Sequence, residues 1–168
     1  MAYSLEAFSA DIKSVLSNDP GVEGQRKVRE FVSKALKDND FVDTHLTSEN
    51  CKPRKVLYED PDLGFCICGH VYEEASKRIW PHDHGPAWAI YGLARGETVM
   101  TDWEVVEKGN DTSPTLVKPS RNYDLALGEC HHYETGDIHS PKWIAGTHLI
   151  RIEGKNLDNV QRSNIKAA

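Results

Sequence analysis

A chain of 168 residues is long enough to enclose one hydrophobic core and too short for several. Lys and Arg number 20 against 26 Asp and Glu, a net charge of −6 with no basic run, which argues against nucleic acid or an anionic membrane as a partner. No stretch approaches the length of a membrane span, and residues 1–10 lack the charged start and apolar core of a signal peptide, so a cytoplasmic protein is expected.

Leu5, Phe8, Ile12, Val15 and Leu16 recur at helical steps after the cap candidate Ser4, and Asn18-Asp19-Pro20-Gly21 stops the run. Val28, Phe31, Val32, Ala35 and Leu36 repeat the pattern as far as Asp38-Asn39-Asp40, and a short third helix is expected around Phe41 to Leu46. Residues 1–50 thus read as a helical extension whose apolar faces must cover a sheet.

From residue 53 the pattern turns to strands. Lys55–Tyr58 forms one, and Phe65–Tyr72, apolar on both faces, a second, buried one. Glu73 to Arg78 is polar and reads as a loop. Thr98–Trp103, Leu116-Val117, Tyr123–Leu127 and Thr147–Ile152 follow as strands, with a turn at Lys108–Asp111. A barrel over residues 51–158 and a mobile tail over 159–168 complete the expected organisation.

The four cysteines form no disulfide framework. Cys66 and Cys68, two apart on a strand, read as reduced packing; the alternative is a thiol metal site completed by Cys130 and a histidine.

The chemistry concentrates in Pro81-His82-Asp83-His84-Gly85-Pro86. Two histidines at i and i+2 on an extended segment point to one face and can grip a metal ion together. This segment, with Gly96 beyond it, resembles the first motif of the cupins, in which a His-x-His pair is followed by a glutamate and then a glycine; residues 88 and 89, where the glutamate belongs, are Trp and Ala. The stretch from Gly128 through Gly136 to His139 resembles the second cupin motif. The resemblance implies a mainly β fold, a cupin jelly-roll or double-stranded β-helix barrel, and makes His139 the third metal ligand beside His82 and His84.

Three histidines without a carboxylate resemble the thiol dioxygenases, the cysteine dioxygenase-like group of cupins, which use non-haem iron(II) and dioxygen to oxidise a thiol. That resemblance implies a small acidic, metal-chelating substrate and makes Arg54 its carboxylate clamp; a solvated arginine at a strand edge is the alternative. Where that group carries a histidine and a tyrosine near its end, this chain has Arg151 and Glu153, and where some members carry a cross-linking cysteine it has Ala89. His-Asp-His-Gly-Pro with Trp88 and Tyr91, followed by Gly-Asp-Ile-His-Ser-Pro, also resembles a separate subfamily of metal-dependent cupins, so a thiol substrate is not assumed.

Arg151 and Glu153 share a strand face with Leu149. If that face lines the barrel, they are candidate catalytic residues for substrate binding or proton transfer, with Ile150 and Ile152 packed beneath the helices; if it faces out, they are a surface pair. Trp88 and Tyr133 are candidate substrate contacts, with barrel packing as the alternative, and His132 a candidate to orient His139. Iron(II) is the expected metal, with zinc or nickel open, and a homodimer the expected assembly. The rival readings are a binding module without turnover and a zinc- or nickel-dependent lyase or isomerase.

Overall fold

The computed structural model describes residues 3–168; Met1 and Ala2 lie outside the described residues. Helix α1 (Leu5–Asn18) begins where Ser4 Oγ accepts the Ala7 N–H at 3.1 Å, as the cap reading requires. Helices α2 (Val22–Lys37), α3 (Asn39–His45) and a single turn α4 (Ser48–Cys51) follow. Asp38 joins the first three: its carboxylate accepts the Phe41 N–H, capping α3, and the Tyr3 N–H at 2.7 Å.

Nine strands make two sheets: β1 (Arg54–Glu59), β2 (Cys66–Tyr72), β3 (Ala89–Arg95), β4 (Thr98–Glu107), β5 (Thr115–Leu125), β6 (Cys130–Tyr133), β7 (His139–Trp143), β8 (Thr147–Glu153) and β9 (Ile165–Ala167). Their orders are β1-β2-β8-β3-β6 and β7-β4-β5-β9, antiparallel except for the β5–β9 pair. This is the mainly β, double-sheet jelly roll, with helices at its N-terminal side.

The five-stranded sheet is buried on both faces, for two reasons visible in its strand parity. Ile67, Ile90, Ile150 and Ile152 point outward and pack with Phe8, Ile12, Val28, Val32 and Phe41 of the helices. Their neighbours Ala89, Tyr91, Leu93 and Leu149 point inward and pack with Met100, Leu125 and Tyr133. Helix α2 lies so close to the sheet that a Cβ at Gly92 would sit 2.6 Å from Leu36 Cδ1 and 2.9 Å from Val32 Cγ1. Gly92→Ala is therefore expected to destabilise the fold by about 1–3 kcal/mol. A urea-unfolding midpoint unchanged from wild type would mean that α2 is not seated there.

Several elements differ from the sequence expectation. β5 runs unbroken through Pro119, which stands opposite Trp103 where the ladder shifts register, a place where a missing N–H is tolerated. The tail is not loose: Ile165 is buried, and β9 pairs with β5. The His-x-His segment is not a strand; His82 makes one isolated bridge to His139, and the chain then turns through Gly85 at φ 56°. Among the described residues no helix is long and apolar enough to cross a membrane.

Candidate metal centre

The site is assembled where β7 begins. His82 and His139 exchange both backbone hydrogen bonds, each N···O 3.0 Å, which fixes the two rings side by side. Asp83 does not face the site; its carboxylate accepts the Gly85 N–H at 3.0 Å and the Ser163 hydroxyl at 2.6 Å, holding the loop in a turn. The Ala87 N–H closes that turn on the His84 carbonyl at 3.1 Å, and the His84 ring is brought inside.

Ligand nitrogens of His82, His84 and His139 all lie within 4.8 Å of one another. His84 and His139 are buried, their rings stacked 5.0 Å apart, and their Nε2 atoms are separated by 3.2 Å. Two bonds of about 2.1 Å meeting at about 100° hold ligand nitrogens about 3.2 Å apart, so the His84–His139 spacing fits one divalent ion, with His82 the third nitrogen close by. His82 Nδ1–H donates to the Trp80 carbonyl at 2.9 Å, which leaves Nε2 with its lone pair toward the others. Tyr133 stacks on the His139 ring at 3.8 Å and its hydroxyl bonds that of Tyr123, walling the cluster on that side.

Burial holds all three rings neutral, the state a ligand needs. It pulls His82 down to about 4 and His84 to about 2, with the Arg151 charge adding to both. His139 is driven well below its ordinary value, by burial first and then by the other two rings. Unfolded, each ring would accept a proton near pH 6.5; folded, it resists until far lower. The metal-free protein is thus expected to keep full stability above about pH 6.5 and to lose it as pH falls toward about 4, where His82 protonates in place. Equal urea midpoints at pH 7.5 and pH 5 would contradict this.

Next to the histidines runs a buried polar chain. Arg151 Nη1 donates to Tyr91 Oη at 3.0 Å, and Tyr91 Oη lies 3.1 Å from His84 Nε2 and 3.4 Å from His82 Nε2. Arg151 Nη2 pairs with Glu153 at 2.7 Å, and the same carboxylate receives Arg54 Nη2 at 3.0 Å. Glu153 is wholly buried and Arg151 nearly so, which places both inside the barrel. Arg151 remains charged: burial opposes the charge, and Tyr91 and Glu153 together outweigh it.

The sequence-derived candidates separate cleanly. His82, His84 and His139 come together, and Arg151 reaches them through Tyr91. Arg54 is not an open anion clamp, because Glu153 takes one nitrogen and Asp158, at 2.5 Å, the other. Trp88 lies on the wrong side for a ligand: it shares its strand parity with Ile90 and packs among the residues beneath the helices. His132 bonds Gln25 of α2 at 3.1 Å, also outside, so it does not orient His139. The thiols do not gather either; Cys130 faces the Arg29 carbonyl on the outer side, and burial pushes Cys66 and Cys68 up to about 12, leaving them protonated. The residue that the sequence did not mark as a site candidate is Tyr91, whose signal was its inward parity two residues beyond Ala89.

Fold and site together define a double-sheet jelly-roll barrel with an internal three-histidine cluster able to hold a divalent cation. No family model and no curated protein matches the chain. Solved structures do: KdgF from Halomonas sp., at 15% identity and TM-score 0.43 over 64% of this chain and 82% of that one, and a cupin superfamily protein from Desulfitobacterium hafniense, at 12% and 0.44 over 61% and 76%. The hydroquinone 1,2-dioxygenase PnpCD, solved with Cd2+ and 4-hydroxybenzonitrile, matches at 12% and 0.47 over 69% of this chain and 68% of that one. At such identities and scores these likenesses carry nothing about substrate or reaction.

Proposed function

We propose that the chain is a non-haem iron(II) oxygenase of the thiol dioxygenase type, acting on a small acidic substrate that chelates the metal through a centre held by His82, His84 and His139. The observation that supports this is three neutral imidazoles with no carboxylate among them, beside a buried cluster of two guanidiniums and one carboxylate. Three neutral imidazoles leave a bound dication with net positive charge, and because Arg54 and Arg151 are balanced by Glu153 and Asp158, it is the ion itself that makes an anion the natural guest.

Arg151 supplies the orienting contact. Its Nε is buried with no hydrogen-bond partner, a cost that a substrate carboxylate accepting that N–H would remove. Glu153 pairs with Nη2 of the same guanidinium and holds it in place. Tyr133, stacked on His139, keeps bulk water from that face. Bound iron(II) would supply a centre that takes up substrate and dioxygen together and exchanges electrons with both.

Elemental analysis of protein purified without added metal, followed by an oxygen-electrode screen with cysteine and 3-mercaptopropionate, tests the reading. Iron at about one per chain with substrate-dependent oxygen uptake and a sulfinic acid product is expected. Zinc or nickel with no uptake would overturn the oxygenase and leave a lyase, an isomerase or a binding module.

A further inference from the structure

We infer that Tyr91 is a fourth metal ligand, binding through Oη as a phenolate and supplying the negative charge that the missing glutamate does not. The inference rests on the three-histidine centre proposed above, and goes beyond it by adding a donor.

Geometry carries the assignment. Tyr91 Oη lies 3.1 Å from His84 Nε2 and 3.4 Å from His82 Nε2, while His84 and His139 Nε2 are 3.2 Å apart. Donors on one ion with bonds of about 2.1 Å are separated by about 3.0 Å at right angles and about 3.4 Å at the tetrahedral angle, so the oxygen fits the same donor set as the nitrogens. A group that merely orients a ligating histidine meets the ring nitrogen that the metal does not use. Trp80 does this at His82, through Nδ1. Tyr91 instead approaches Nε2, the atom of His84 that faces His139. With an ion bound there, Nε2 has neither a hydrogen to give nor a lone pair to share, and the ion itself is what remains for Oη to contact.

Position agrees. Ala89 and Tyr91 are successive inward residues of β3, and the usual carboxylate position is vacant: Ala89 is too short, and Trp88 points beneath the helices. Tyr91 sits one inward step further along with a longer side chain, and is itself buried. Arg151 donates to Oη at 3.0 Å through Nη1, while Glu153 holds its Nη2 at 2.7 Å. A guanidinium N–H on Oη occupies one lone pair and leaves the other free to face the ion. On binding, the phenol O–H breaks, its proton goes to bulk water, and the freed electron pair forms the bond to the ion.

Loading the full-length protein with iron(III) makes the ligand visible, because tyrosinate bound to iron(III) gives a charge-transfer band in the visible and phenolate modes in resonance Raman. We expect wild type to show both, and Tyr91→Phe to bind iron(III) with at least a tenfold loss of affinity and no band. Tyr72→Phe, Tyr123→Phe and Tyr133→Phe should keep the band, and they assign it by elimination if Tyr91→Phe does not fold. Iron bound without a band, or a band that survives Tyr91→Phe or vanishes in another of these variants, would overturn the inference while leaving the three histidines standing. Failure to bind iron at all would overturn both.

Discussion

Replacing His139 with alanine will leave a protein that no longer retains metal. His139 joins the two parts of the site: its backbone bridges His82, its Nε2 faces His84 at 3.2 Å, and its ring is wholly buried. Loss even of a group that orients a ligand costs about 10–100-fold in metal affinity, and loss of a ligand itself should exceed that. Metal content should fall from about one per chain to near zero, with turnover falling alongside it. Circular dichroism and unfolding of the metal-free variant separate this from misfolding, since the deleted ring also leaves a cavity against Tyr133. A folded His139→Ala protein that keeps stoichiometric metal would remove His139 from the centre.

The second large effect is on stability. Glu153 is a wholly buried carboxylate shared by Arg151 at 2.7 Å and Arg54 at 3.0 Å. Glu153→Ala would leave Arg151 buried and uncompensated, and is expected to cost about 3–5 kcal/mol in urea unfolding. Arg54, partly exposed and already paired with Asp158, should matter less. Replacing both Glu153 and Arg151 by apolar residues of similar size should recover much of the loss, because the expense lies in the stranded charge. A Glu153→Ala midpoint within experimental error of wild type would show that the pair is solvated.

Much of this was legible in the chain because it depends on local spacing. The helices and the inward placement of Arg151 and Glu153 follow from parity: Ile150 and Ile152 need the helices, so their neighbours go inside. The histidine cluster follows from motif spacing even though the segment at His82 and His84 is a turn, since the Gly85 turn returns the second ring to the site that a strand would have given it. What was not legible depends on pairing between distant strands. The partners of Arg54 are set by the register that places it beside His70 on β2 and places Cys68 beside Arg151 on β8, and no local pattern encodes that. Trp88 was ambiguous because β3 is apolar on both faces, so alternation cannot say which one is inner. β9 escaped notice because three residues pairing with a strand far back in sequence leave no periodic signal.

The Ser163 hydroxyl on Asp83 and the seating of β9 against β5 fasten residues 159–168 across the loop that carries two of the three imidazoles. This segment works as a buckle. Whatever steadies the loop steadies the buckle in return, so a cation lodged in the barrel and resistance of the last ten residues to proteases become two readings of one equilibrium.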